Sequence, residues 1–210
     1  MNIDPIARWY RWIEYAAFGR ALERRRFAYL DRLSGARRVL ILGEGDGRVL
    51  ERLLAVAPAA EFDVIEMSAE MIALARARIG NSARVRFLHQ DALAGELPSA
   101  SYDGVVTLFF LDCFNEDDLR RVINKIKNAI EGDGIWLVTD FAIPEAGWLR
   151  WHARLWIRTM YEFFGMTTGL RVRSLPPIAE ILQEAGLRRS EYSTERGGLI
   201  RSEVWIKERR

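Results

Sequence analysis

From residue 38 onward, short apolar runs alternate with longer stretches of helical period. The run Arg-Val-Leu-Ile-Leu at 38–42 predicts a buried strand closed by glycines, and 49–56 a helix that stops before Pro58. A second strand falls at 61–66. Ser68 is a natural N-cap for a helix over 70–79, which Gly80 ends. A third strand follows at 84–88 and a fourth at 102–109. A helix over 116–130 ends at Gly132, and 134–140 is a fifth strand. Strands alternating with helices imply a mostly parallel sheet covered on both faces.

The last third changes character. Residues 144–164 form a long aromatic-rich helical stretch, interrupted around 165–169. Pro176 and Pro177 open a short helix through 185, with Gly186 behind it. Two strands, 187–194 and 199–207, are joined by Gly197-Gly198, a hairpin signal. The predicted architecture is α/β: a doubly wound, mostly parallel seven-stranded sheet with an antiparallel C-terminal hairpin and a helical cap. At 210 residues this is one domain's worth, with a helical cap over 1–35, an α/β core over 36–143, a lid over 144–175 and the final helix and hairpin over 176–210.

Composition adds exclusions. No apolar run approaches the roughly 20 residues of a membrane helix, and the N-terminus lacks the layout of a secretion signal. The single cysteine, Cys113, excludes an internal disulfide framework and, with only His89 and His152 as imidazoles, argues against a structural zinc site. A net charge of +2 suggests a cytoplasmic protein and speaks against a general nucleic-acid binder. That small sum hides a segregation. Residues 1–38 carry nine Lys/Arg against four Asp/Glu, 39–144 ten against seventeen, and 145–175 five against two. The basic flanks also hold Trp9, Trp12, Trp148, Trp151 and Trp156. Such helices can be ordinary amphipathic cover, a cap over a site, or a surface that rests on a membrane.

The candidate chemistry begins at Gly43-Glu44-Gly45-Asp46-Gly47, where a strand runs through a glycine-rich turn into a helix. Glycines let backbone approach a ligand, and a helix N-terminus offers free N–H groups. Glu66 ends the second strand 19 residues after Gly47, where an acid can accept both hydroxyls of a ribose. Asp91 follows the third strand, where a carboxylate can hold an adenine amino group. A dinucleotide fingerprint would place a small residue where Arg48 stands. Glu44 and Asp46 would repel a pyrophosphate but suit a ligand bearing an ammonium and a sulfonium.

On these motifs the chain resembles the class I S-adenosylmethionine-dependent methyltransferases. The stretches 39–47, 64–71, 90–92 and 102–111 resemble, in order, that family's first four motif regions. The late helix, and more weakly Ala7-Arg-Trp-Tyr10, are similar to the quinone-biosynthesis-like small-molecule branch. The resemblance implies a Rossmann-like fold, S-adenosylmethionine as cofactor, and roles by position. Gly43, Glu44, Gly45 and Gly47 would line its methionine part, Glu66 its ribose, Met67 and Ala92 its adenine, and Asp91 the adenine amino group. Thr107 and Leu108 would sit below the sulfonium, and Tyr10 would reach the cofactor from the opening helix. Many relatives carry histidine where this chain has Asp112.

Methyl transfer to a hydroxyl or phenol needs a base. Asp112, His152 and Tyr161 are the candidates, with an N-cap or loop role as the alternative for Asp112 and a solvated helix position as that for His152. On a helical wheel Tyr161 shares a stripe with Arg150, Arg154 and Arg158, while His152 and Thr159 fall on the apolar side. A cap of aromatic helices suits a small apolar or aromatic acceptor. An NAD-type reductase and a catalytically silent cofactor-binding module are the competing readings. Oligomeric state has no signature in the sequence.

Overall fold

The computed structural model describes residues 4, 7–144, 148–170 and 172–207, the side chains of 7, 8, 10 and 11 excepted. Seven strands form one sheet: β1 (Arg38–Leu42), β2 (Glu61–Glu66), β3 (Val85–His89), β4 (Tyr102–Leu108), β5 (Ile130–Phe141), β6 (Leu187–Glu195) and β7 (Ile200–Lys207). Their spatial order is β3-β2-β1-β4-β5-β7-β6. Strands β1 to β5 pair parallel, and β7 inserts antiparallel between β5 and β6. The predicted sheet and hairpin are therefore present. Chain order reverses between β1 and β4, which opens a crevice at their carboxyl ends.

The period-two alternation of β1 distributes its side chains to two cores. Leu40 and Leu42 face α5 (Glu116–Ala129) and α7 (Ile178–Glu184), while Val39 and Ile41 face α3 (Arg48–Val56). Helix α4 (Ala69–Ile79) packs beside α3, with Ser68 accepting the Met71 N–H as its N-cap at 3.0 Å. The amino end of the sheet is pinned by acids. Asp103 accepts the N–H groups of Arg37 and Arg38, and Asp63 binds Arg38, Arg86 and the Tyr102 hydroxyl.

A third core lies over the carboxyl ends of the strands. There α1 (Ala7–Phe18) and α2 (Ala21–Arg26) meet α6 (Trp148–Thr168) through Phe18, Leu22, Ile157 and Tyr161, on Phe141 and Ile200.

Two boundaries differ from expectation. Helix α5 ends at Ala129, and β5 starts at Ile130 rather than at 134. Ile130 is buried and pairs with Tyr102, and the register then jumps to Gly104 with Ile135, so 131–134 form a bulge inside the strand. Helix α6 continues through Gly165 to Thr168 and stops at Gly169, whose φ of 71° ends it.

Candidate functional site

A cavity of about 710 Å³ occupies the crevice. Its floor is the glycine-rich turn and the ends of β2 and β4; its roof is α6. The turn divides its glycines by task. At Gly45 (φ 73°) nothing lies within 4 Å of where a Cβ would stand, and backbone faces open space. At Gly47 (φ 86°) a Cβ would meet the Ala75 Cα at 2.7 Å, so this glycine lets α3 start against α4. Gly43 and Gly45 line the cavity; Gly47, expected there, serves helix packing instead.

The two acids of the turn part ways. Glu44 caps α3: its Oε1 accepts the Val49 and Leu50 N–H groups at 3.0 and 2.9 Å. Its Oε2 is buried with no partner. Burial, with Asp46 nearby, pushes the Glu44 carboxyl up to about 8 against the pull of those N–H groups. Asp46 instead faces arginines, accepting from Arg48 at 2.8 Å and Arg78 at 3.3 Å. Arg48 also binds Glu14 of α1 at 2.9 Å, and Glu14 forms a two-pronged ion pair with Arg26 of α2. Helices α1 and α2 are thereby tied to the turn. Burial alone would raise the Glu14 carboxyl, but Arg26 and Arg48 hold it below its usual range. Arg26 lines the cavity with its guanidinium 4.9 Å over the Phe109 ring.

Glu66, Met67, Asp91, Ala92 and Leu108 all reach the cavity. Glu66 accepts the N–H groups of Met67 and Ser68 at 2.9 Å each and that of Gly45 at 3.2 Å, which links β2 to the turn. Asp91 Oδ1 accepts the Leu93 N–H at 2.8 Å. Thr107 does not reach the cavity. Strand alternation turns it toward α5, where its buried hydroxyl accepts the Trp136 indole N–H at 2.9 Å. The Tyr10 side chain lies outside the described residues.

The candidate bases separate sharply. Asp112, buried at the cavity wall, has its carboxyl raised by burial. Tyr161 is buried and lines the same cavity, its hydroxyl donating to the Asp112 carbonyl at 3.2 Å. Burial beside Asp112, Cys113 and Asp140 drives that phenol far above its ordinary value, so it keeps its proton and braces the 111–113 turn. His152 is exposed, its ring edge-on to Trp148 and Trp151 at 4.9 and 5.4 Å, and it does not reach the cavity. The inward stripe of α6 is Ala153, Ile157, Tyr161 and Thr168. The arginine wheel thus assigned Tyr161 and His152 to the wrong sides, because one helix packed on two surfaces has no single polar face.

Asp140 and Arg26 were not singled out by sequence. Asp140 carries the same strand-end signal that marked Glu66 and Asp91; Arg26 sits in an arginine run with nothing to distinguish it. A second cavity of about 270 Å³, with apolar walls throughout, adjoins the first. Both share Phe109, Phe141, Met160 and Phe164, and the second runs on between Ile13 and Ala17 of α1 and Trp156 and Phe163 of α6. Among the described residues no cluster of acids, histidines and cysteine could hold a metal ion, and no helix is long and apolar enough to cross a membrane.

A glycine turn, a strand-end acid and a crevice at the switch point belong to a Rossmann-like fold, and residues 39–134, a little under half of the chain, match the family described as "Methyltransferase domain". An uncharacterized methyltransferase of Mycobacterium tuberculosis is 29% identical over 123 residues, 59% of this chain and 60% of that protein. The chain thus matches less than two thirds of that relative's length. A demethylmenaquinone methyltransferase of Thermus thermophilus is 28% identical over 151 residues, 71% of this chain and 68% of that protein. Two solved structures share the fold. The mitomycin 7-O-methyltransferase MmcR has a TM-score of 0.71 at 17% identity, covering 99% of this chain and 61% of that one. The N-methyltransferase NodS of Bradyrhizobium japonicum with S-adenosyl-L-homocysteine has a TM-score of 0.65 at 17% identity, covering 90% and 88%.

Proposed function

We propose that this chain transfers a methyl group from S-adenosylmethionine to a small acceptor with an apolar body. The residues fit that cofactor. Open space over Gly45 admits a closely approaching ligand, and the orphaned Glu44 Oε2 suits an ammonium group. Arg26 would meet the carboxylate, Glu66 the ribose hydroxyls, Met67 and Ala92 the adenine, and Asp91 its amino group. When bound, the cofactor supplies a methyl group on a positively charged sulfur. The chain's own residues then align the acceptor and exclude water. The curated relatives and the structural neighbour bound to S-adenosyl-L-homocysteine support this reading. Thermal-shift titration with S-adenosylmethionine, S-adenosylhomocysteine and NAD tests it; stabilisation by NAD alone, or by none of the three, overturns it.

The acceptor class rests on the second cavity. A wall without polar surface, reached from the first cavity past Phe109 and Met160, suits an alkyl or isoprenoid-like tail. Filling it by Ala17→Phe is expected to raise the KM for an alkyl-chain acceptor about tenfold, the scale of one or two lost methylene contacts. S-adenosylhomocysteine affinity, measured by calorimetry, stays unchanged. A KM indifferent to both the substitution and the chain length overturns the apolar-tail reading.

Peripheral membrane contact is supported by the same two helices. Trp9, Trp12, Trp148 and Trp151 are exposed, and Arg150, Arg154 and Arg158 stand exposed among them on α6. Aromatic rings with arginines favour an anionic lipid surface. Cosedimentation with phosphatidylglycerol vesicles, weakened by Trp148→Glu with Trp151→Glu, is the expected result. Equal recovery with and without vesicles refutes it.

A further inference from the structure

Two buried carboxylates stand together at the carboxyl ends of β4 and β5. Asp112 and Asp140 are each 4% exposed, and their side chains lie within hydrogen-bonding reach of one another. Asp112 forms part of the cavity wall; Asp140 lies behind it. Asp140 Oδ2 accepts the Leu111 N–H at 3.3 Å, while its buried Oδ1 meets no N–H or O–H donor. Asp112 Oδ1 faces the Cys113 thiol at 3.5 Å.

Among the described residues, no lysine or arginine is one of the groups that act most strongly on the two acids. The groups acting most strongly on the two acids are each other, Cys113 and main-chain N–H groups. On α6, Tyr161 donates to the Asp112 carbonyl. On β7, Arg201 pairs across the sheet with Asp140 but turns its guanidinium to Glu203 at 3.6 Å. Asp118 of α5 and Arg26 of α2 face the same cavity and are engaged by Arg121 and Glu14. Two carboxyls in contact in a dry site cannot both ionise. One proton must sit between them, and only that proton gives Asp140 Oδ1 a partner. Burial raises both acids; Asp112 Oδ1 already receives the Cys113 thiol while Asp140 Oδ1 receives no donor, which assigns the proton to Asp140 Oδ1.

We propose that Asp112 and Asp140 act as one proton-accepting unit: neutral Asp140 donates a hydrogen bond to ionised Asp112, and Asp112 takes the proton released by the methyl acceptor. This rests on the methyl-transfer reading above, and it narrows the acceptor to a compound with an O–H or N–H at the attacking atom. As that oxygen or nitrogen bonds the methyl carbon, the carbon–sulfur bond breaks and sulfur keeps its electron pair. The acceptor's proton passes to the Asp112 carboxylate. The pair goes from one negative charge to none, then returns the proton to water as the product leaves. Asp112 is the catalytic residue and Asp140 its positioning residue.

Infrared difference spectroscopy and pH-dependent unfolding of Asp112→Asn, Asp140→Asn and wild type test the pair without requiring turnover. The wild type is expected to show the carbonyl stretch of a protonated, buried carboxyl at neutral pH, and Asp140→Asn to lack it. An acid whose affinity for its proton is higher in the folded state contributes stability at low pH. That stability is lost as pH rises above the ordinary carboxylate range. Wild-type stability should therefore fall more steeply toward alkaline pH than that of Asp140→Asn. With a long-chain alkylphenol and a long-chain alkylamine as acceptors, Asp112→Asn should lower kcat by about 100- to 10,000-fold. Asp140→Ala, which removes the donor, should lower kcat as well, and Asp140→Asn, which keeps a neutral donor, should restore part of that loss.

A wild type without the protonated-carboxyl band, or an Asp112→Asn enzyme with undiminished kcat, overturns the proposal. So does Mg²⁺ or Mn²⁺ raising the melting temperature of wild type but not of Asp140→Asn, since the pair would then be a cation site. Failure of S-adenosylhomocysteine to bind any of these proteins would instead defeat the methyl-transfer reading itself.

Discussion

Glu66→Ala is expected to weaken S-adenosylhomocysteine binding by about 100-fold, equivalent to about 2.7 kcal/mol. A carboxylate that accepts two hydroxyl hydrogens makes two charge-assisted bonds, each worth about 1.5–3 kcal/mol. Part of the loss comes from the turn itself. The same carboxylate receives the N–H groups of Gly45, Met67 and Ser68, so alanine also loosens the join between β2 and the glycine loop. Glu66→Gln keeps the shape and removes the charge, and should fall between alanine and wild type. Isothermal calorimetry, with circular dichroism to verify folding, provides the measurement. An affinity within threefold of wild type for a folded Glu66→Ala protein contradicts the ribose role.

Gly47→Ala is expected to destabilise the fold strongly. It forces a Cβ to within 2.7 Å of the Ala75 Cα, backbone that cannot swing aside, at a φ of 86°. The left-handed conformation costs about 1–2 kcal/mol and the overpacking about 1–3 kcal/mol. Together they predict a melting temperature lower by about 5–20 °C, on the scale of about 2–4 °C per kcal/mol. Gly45→Ala has an equally unfavourable φ of 73° but open space at its Cβ, so it should pay only the conformational share. That contrast separates a packing glycine from one that faces the cavity. Equal melting temperatures for the two variants would refute the division.

Much of the fold was legible because its signals are local. The apolar runs at 38–42 and 61–66 gave their strands without error, and Ser68 capped the helix it introduces. Strand-end acids were legible for the same reason, since position at the end of a parallel strand already aims a side chain at the crevice. The misplacements lie where a residue answers to more than one neighbour. Thr107 is one position from the wall and alternation turns it away. His152 and Tyr161 exchanged sides because α6 packs on the sheet end and on α1 while exposing tryptophans.

The alternation of strands and helices, the glycine turn and the order of its acids were thus determined by sequence alone: each depends on backbone propensity and spacing over fewer than about 25 residues. Charge segregation was visible too, but not that Glu14 of the basic flank would hold Arg26 and Arg48 beside the acidic turn. Pairings across such distances are decided only when the sheet closes. Asp112 and Asp140, 28 positions apart, become one proton-sharing unit because β4 and β5 are neighbours and burial removes the water that would have kept them separate acids.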